Sequence, residues 1–454
     1  MKVRLLCLLA IVLVLPSGTS IAVPVVDASL GVCTRPDEFQ KRQEAMDSQV
    51  TRLSAEKDTV QRAKLVAALA AAAESDIECL IRYREPSLAP VFAEVAKTST
   101  KWFTRSRALY GIKMLGVAST APVAIAALDD QDGMVREAAA NALGQLGGDA
   151  ARAALQRRLA IERDAYVHAT IQSALGQLDG TVKPLRPDAW KETLTGPPGV
   201  QRVAYVRNQR GAPSYNVADP AKLNYPEAKQ FSYPIQRYKA ALFGVYPRNS
   251  FGGKSGHAGE DCGWFREGCS VYAIADGVVR MVQGAGGDFG FLIVIEHRLP
   301  DGQYLTSVYG HCAKDVFVHE SQVVKAGQRI ATQGLSCGIE NGGYGSHLHF
   351  GLGNGPFRRP PGMELGDTVV DQNKNEMPVL RLGYSQTKKN SAGLPALALV
   401  LRKPDGSELN IDGFRDFPTQ QEIRWLRPYV KGCRGWLNPQ TELPKLVEKG
   451  NDKP

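Results

Sequence analysis

The sequence predicts two parts: an N-terminal α-helical solenoid, then a mainly antiparallel β-sheet domain. Three observations carry this. Residues 135–146 recur at 167–178, an offset of 32 from Val135 to Val167, and a period of that size marks stacked helical repeats. From residue 270 the apolar pattern changes to short alternating runs separated by Asp-Gly and Ala-Gly turns, which is strand patterning. Between the two, Gly180, Pro184, Pro187, Gly196, Pro197, Pro198 and Gly199 crowd one stretch, and that density of breakers reads as a linker.

The elements follow in order. Lys2 and Arg4 precede the apolar run 5–15, and Ser20-Ile21-Ala22 fits a small-x-small cleavage site. The expectation is a secretory signal peptide over 1–22 and an exported mature chain, periplasmic or extracellular. Cys7 lies too early in the apolar run to be a lipid-attachment site, and no later stretch has the length of a membrane span. Residues 23–178 are assigned to the helical domain. Within it, 37–73 is rich in Ala, Glu, Lys, Arg and Gln and predicts one long helix or two shorter ones. A looser repeat precedes the two clear ones: Arg105, Ala108, Leu115 and Gly116 match Arg136, Ala139, Leu146 and Gly147 at an offset of 31. Small residues on these helices let neighbours approach closely, and each repeat buries its apolar face on the next. The pattern resembles short HEAT-like repeats, a family used mostly for protein contacts, so a partner-binding role follows by analogy. A compact helical spacer or pro-domain is the alternative.

The linker is placed at 179–200 and the β-rich domain at 201–445, with 201–206 as a first strand. A hairpin is expected over 271–275 and 278–282, turning at Asp276-Gly277, and another over 291–296 and 303–309. Strands at 323–325 and 329–332 follow. Residues 356–428 read as an insertion carrying one more hairpin, 397–401 with 408–411. Residues 435–439 read as a closing strand, and 446–454 as a charged, frayed tail.

Composition narrows the function. Net charge is +9, with 55 Lys and Arg against 46 Asp and Glu. That favours a polyanionic surface such as a bacterial wall, and no basic–aromatic platform argues for nucleic acid. Beyond Cys7, seven cysteines remain: Cys33, Cys79, Cys262, Cys269, Cys312, Cys337 and Cys433. In an oxidising compartment disulfides are expected, with Cys33–Cys79, Cys262–Cys269 and Cys312–Cys337 as candidate pairs and one cysteine left over. Thiolate metal ligation by Cys262 or Cys312 is the alternative, since each follows a candidate site residue.

The chemistry centres on Gly345-Ser346-His347-Leu348-His349-Phe350. On a strand, His347 and His349 share one face and Leu348 takes the other. Upstream, His257 and Asp261 stand four residues apart in a Gly-rich loop, and His311 ends a strand-like run. Four of the seven histidines fall in these three clusters. A catalytic zinc takes three protein ligands and keeps a fourth position for water. His257, Asp261 and His349 would supply the three, leaving His311 and His347 to handle protons.

The run from 252 to 352 resembles the lysostaphin-type zinc endopeptidases, which cut peptidoglycan cross-link peptides. The matching pieces, in the family's order and with comparable gaps, are HAGED (257–261), VYAIADGVVRMV (271–282), FLIVIEH (291–297), VYGH (308–311), VKAGQRIATQG (324–334) and GSHLHF (345–350). The resemblance implies an antiparallel sheet with one zinc per chain in a groove on its face. It implies His257, Asp261 and His349 as metal ligands and His311 and His347 as the catalytic pair. The expected activity is hydrolysis of amide bonds in peptidoglycan cross-link peptides. The alternative is a non-catalytic wall-binding member of the same fold that activates or recruits another hydrolase. His297, His319, Asp276 and Glu260 are expected to be structural or at the surface, with Tyr309 packed beneath the site.

Overall fold

The computed structural model describes residues 36–451 except 185–193, 198, 204–214, 218–221, 239–258, 264–265, 284–290, 314, 336–344, 358–367, 371–375, 390–394, 403–404, 415–426 and 429–435. The expected signal peptide, Cys33, Cys337, Cys433 and His257 lie outside the described residues.

The first part is all helix. The 37–73 stretch forms two helices, α1 (Pro36–Ala55) and α2 (Thr59–Leu80). The break falls where Asp58 caps α2, its side chain accepting from the Gln61 amide at 2.8 Å. Then come α3 (Ala89–Thr98), α4 (Trp102–Leu115), α5 (Ala121–Ala127), α6 (Gly133–Leu146), α7 (Asp149–Leu159) and α8 (Ala165–Leu178). The sequence repeats fall on α4, α6 and α8. Asp132 and Asp164, also 32 apart, cap α6 and α8 in the same way. The matched arginines play matched roles: Arg105 forks onto Asp130 at 2.8 and 2.9 Å, and Arg136 onto Glu162 at 2.8 and 3.1 Å. Each ties the start of one repeat helix to the loop leading into the next. A Cβ on Gly144 would sit 3.1 Å from Ala174, so α6 and α8 meet almost backbone to backbone. Phe92, Leu109, Ile112, Val135, Leu143, Val167 and Ile171 are buried in one continuous core along the stack.

The first strand pair departs from expectation. β1 (Leu194–Thr195) pairs antiparallel with β2 (Arg202–Val203), and this hairpin lies on the helices. Val203 N–H donates to Arg82 O at 2.9 Å, Arg84 N–H donates to Gln201 O at 3.0 Å, and Val200 joins the helical core. Residues 201–203 therefore pack with the helical part, not the sheet domain.

The second part is antiparallel sheet. Its strands are β3 (Tyr215–Val217), β4 (Glu260–Cys262), β5 (Ser270–Tyr272), β6 (Gly277–Gln283), β7 (Phe291–Arg298), β8 (Tyr304–Cys312), β9 (Val323–Val324), β10 (Arg329–Thr332), β11 (Leu348–Asn354), β12 (Thr368–Val370), β13 (Glu376–Lys389), β14 (Pro395–Arg402), β15 (Glu408–Phe414), β16 (Arg427–Pro428) and β17 (Trp436–Leu437). The main sheet runs β17-β11-β8-β7-β6-β3, with β4 also on β11 and β9 also on β6. The expected β7–β8 and β14–β15 hairpins form, and β17 closes the sheet against β11. The insertion contributes a separate sheet in the order β15-β14-β13-β12-β16.

Three expectations are corrected. β5 and β6 do not form a hairpin with each other: β5 pairs with β10, and β6 with β7. The Asp276 side chain instead accepts from Ala326 N at 2.9 Å and Lys325 Nζ at 2.8 Å, tying the 276–277 corner to the β9–β10 turn. The tail is ordered as α9 (Pro439–Asn451), because Leu443, Leu446 and Val447 form an apolar stripe that packs on the sheet core. Finally, Cys262 and Cys269 are not disulfide-bonded. Cys262 Sγ turns into the core towards Leu348 O at 3.5 Å, while burial raises the Cys269 thiol well above its usual range.

The two parts meet through a buried polar face. Arg107 of α4 pairs with Glu267 at 2.6 Å, and Lys113 with Asp315 at 3.0 Å. Glu137 of α6 accepts from Ser270 N at 2.7 Å and Tyr272 Oη at 2.9 Å. Thr170 of α8 hydrogen-bonds Tyr272 Oη at 2.7 Å. The repeats thus spend one face on the sheet domain of their own chain.

Candidate metal and catalytic site

The site is built on three adjacent strands, β4, β11 and β8. Registers place Asp261 opposite His349 and His349 opposite Gly310, one residue before His311. Leu348 is fully buried in the sheet core and Tyr309 lies beneath on Phe350, with ring centroids 5.5 Å apart. This alternation turns His347 and His349 to one side, as the strand period requires.

Four of the five predicted side chains come together. Asp261 Oδ1 lies 3.3 Å from His347 Nε2 and 3.4 Å from His349 Nδ1. The His311 ring is 4.4 Å from that of His347 and 5.9 Å from that of His349, centroid to centroid. All four residues are buried. His311 is held at φ 61°, a left-handed conformation unusual outside glycine. Its carbonyl accepts from Gly334 N at 3.0 Å, one of the bonds that keeps it there.

His347 has a defined tautomer. Its Nδ1 lies 2.6 Å from Gly345 O; a carbonyl only accepts, so Nδ1 carries the hydrogen. In the neutral ring Nε2 is then an acceptor, and it faces a carboxylate oxygen, also an acceptor. Two acceptors at 3.3 Å require a proton or a cation between or beside them. The donor set, a carboxylate with imidazole nitrogens, is one zinc accepts. The pocket is also shaped for the ring: a Cβ on Gly259 would lie 2.6 Å from His349 Nε2 and 2.8 Å from Phe350 O. That leaves the Nδ1 edge of His349 as the one facing Asp261. Asp261 and His349 therefore fit a metal. Among the described residues no group of three or more His, Cys, Asp or Glu is arranged to hold an ion; the third predicted ligand, His257, lies outside them.

The residues expected to be structural sort clearly. His297 is fully buried, with Nδ1 at 2.9 Å from Asp276 O and Nε2 at 2.8 Å from Ser307 Oγ. Burial pushes its pKa down to about 4, so it sits neutral in the core. His319 is exposed. Glu260 corrects the surface reading: it is fully buried on β4, bonded to Tyr238 Oη and to Gln440 Nε2 of α9. Its strand neighbour is Asp261, so these bonds hold the strand that carries the carboxylate.

Sequence reasoning missed the supports: Gly259, Gln333 and Ser346. Gln333 Nε2 donates to Gly263 O at 2.7 Å and Ser346 Oγ at 2.8 Å, and Ser346 Oγ donates to Gly334 O at 2.7 Å. Only their position inside the quoted motifs marked them.

Residues 255–359 match the family described as Peptidase family M23, a span that holds all five predicted site residues. That match lies within the sheet domain and runs from β4 to just past β11. HEAT repeats match over 88–176, which covers α3 to most of α8. The chain thus carries a match to HEAT repeats followed by a match to the M23 peptidase family, and no curated protein matches it. Among the described residues no helix is long and apolar enough to cross a membrane.

Proposed function

We propose that this chain is an exported zinc metalloendopeptidase that hydrolyses amide bonds in peptidoglycan cross-link peptides. The observation that carries the reading is the gathering of Asp261, His311, His347 and His349 into one buried cluster. The M23 match supports the peptidase class. Export rests on the signal-like N-terminus, and the wall substrate on the family resemblance and the basic charge.

His257, Asp261 and His349 would hold one zinc ion per chain. Bound zinc lowers the pKa of its water towards neutrality and acts as a Lewis acid on a carbonyl. His347, with Nδ1 pinned on Gly345 O, presents Nε2 to the centre as a proton acceptor. It takes the proton of the attacking water and returns it to the departing amine. His311, beside it, donates a hydrogen bond to the carbonyl oxygen as charge develops there. Burial of all four side chains keeps bulk water from screening these interactions.

The test is digestion of purified cross-linked peptidoglycan by the zinc-loaded full chain, with the soluble products analysed by mass. New amine and carboxyl ends at cross-link peptides are expected from the wild type and not from His349→Ala. A folded, zinc-loaded chain that binds the wall without cleaving it would favour the non-catalytic alternative.

A further inference from the structure

A hydrogen-bonded chain runs from the helical repeats into the site. Glu137, on α6, is fully buried and accepts from the N–H of Ser270 at 2.7 Å. That N–H belongs to the peptide unit joining Cys269 and Ser270. The carbonyl of the same unit, Cys269 O, accepts from Gln333 N–H at 2.8 Å. Gln333 then donates through Nε2 to Ser346 Oγ at 2.8 Å, and Ser346 precedes His347. Ser346 Oγ donates to Gly334 O at 2.7 Å, and Gly334 N–H donates to His311 O at 3.0 Å. Both histidines of the proposed catalytic pair are thus tied to one peptide unit whose other side rests on a helix of the repeat domain. Hydrogen bonds in series inside a low-dielectric interior polarise and orient one another.

We propose that Glu137 is a positioning residue for the His311–His347 pair, so that the repeat domain is a working wall of the peptidase site. This rests on the function proposed above. His311 needs such support, because its left-handed backbone persists only where neighbours over-determine it. Ser346 and Gln333 are both fully buried, so the chain has no solvent to substitute for a lost link. Tyr272 offers the control. Its hydroxyl also bonds Glu137 and Thr170, but it is not one of the links between Glu137 and Gln333.

The experiment uses the full zinc-loaded chain and three variants: Glu137→Ala, Glu137→Gln and Tyr272→Phe. Glu137→Ala is expected to lower kcat by ~10- to 100-fold with KM unchanged, the scale of loss when reacting groups shift by about an ångström. Glu137→Gln, whose Oε1 still accepts from Ser270 N, should restore kcat. Tyr272→Phe should weaken thermal stability and leave kcat in place. Amide hydrogen exchange on the metal-free chain gives a second readout: residues 333–335 and 345–349 should exchange faster in Glu137→Ala and not in Tyr272→Phe. If Glu137→Ala does not fold, Ser346→Ala breaks the same chain further along, at the Gln333–Ser346 bond, and should show the same loss of kcat. Wild-type kcat in a folded Glu137→Ala or Ser346→Ala would overturn the proposal, as would a fall of kcat in step with Tyr272→Phe. If the wild type cleaves no wall peptide, the function proposed above fails, and exchange alone decides: unchanged protection at 333–335 and 345–349 overturns the positioning role.

Discussion

Glu137→Gln should make the protein more stable at alkaline pH and only slightly more stable at pH 5. Burial, the largest influence, raises the Glu137 carboxyl from 4.5 to about 7, against the lowering effect of the Ser270 N–H, the Tyr272 hydroxyl and Arg329. Asp164 raises it further. The folded carboxyl keeps its proton to higher pH than the unfolded one, so between these values the folded state binds more protons. Stability from this group is therefore full below 4.5 and is lost as pH rises through about 7. At about 1.4 kcal/mol per pKa unit the loss is about 3 kcal/mol. Glutamine removes the titration and keeps the bonds. Its Oε1 accepts from Ser270 N, its amide donates to Tyr272 Oη, and the tyrosine hydroxyl turns to Thr170, 2.7 Å away. Urea unfolding at pH 5 and pH 8 is the assay, with the free-energy difference read by linear extrapolation. The variant should exceed wild type by about 1 kcal/mol or less at pH 5 and by about 3 kcal/mol at pH 8. An equal difference at both pH values would show that Glu137 does not titrate differently in the folded and unfolded chain.

Other predictions concern the site and the core. His349→Ala should abolish stoichiometric zinc binding measured by calorimetry, whereas His347→Ala should still bind zinc and lose turnover by ~10²- to 10⁴-fold. Gly259→Ala should weaken zinc binding ~10- to 100-fold in a competition assay, since its Cβ would collide with His349 and the Phe350 carbonyl. Glu296→Ala should destabilise the chain by ~3–5 kcal/mol in urea, because it removes the carboxylate that pairs at 2.6 Å with the Arg280 guanidinium, which is just 1% exposed.

The sequence showed most clearly what repeats locally. The 32-residue period marked α6 and α8, and the paired runs 291–296 and 303–309 marked the β7–β8 hairpin, because these features depend on neighbours in the chain. The HxH pattern and the three histidine clusters marked four side chains that the fold gathers. What stayed hidden depends on distant partners. Asp276-Gly277 has hairpin chemistry, yet its carboxylate is engaged by the β9–β10 turn, so β5 is released to β10. Glu260 has the composition of a surface residue and is buried because Tyr238 and Gln440 reach it. Pro444 and the surrounding charges disguised α9, whose apolar stripe has meaning only against the sheet. Glu137, Asn141 and Thr170 are polar residues with no motif around them, and they form the contact with Ser270 and Tyr272. That contact also makes the full chain, not its C-terminal part, the right object for enzymology.

Anomalous X-ray scattering at the zinc edge, from crystals of the zinc-loaded chain, tests the metal centre most directly. One strong peak is expected within bonding distance of Asp261 and His349, with His257 completing the set and His311 and His347 alongside but unbonded. A zinc peak elsewhere, or none at full occupancy of the solution site, would contradict this assignment.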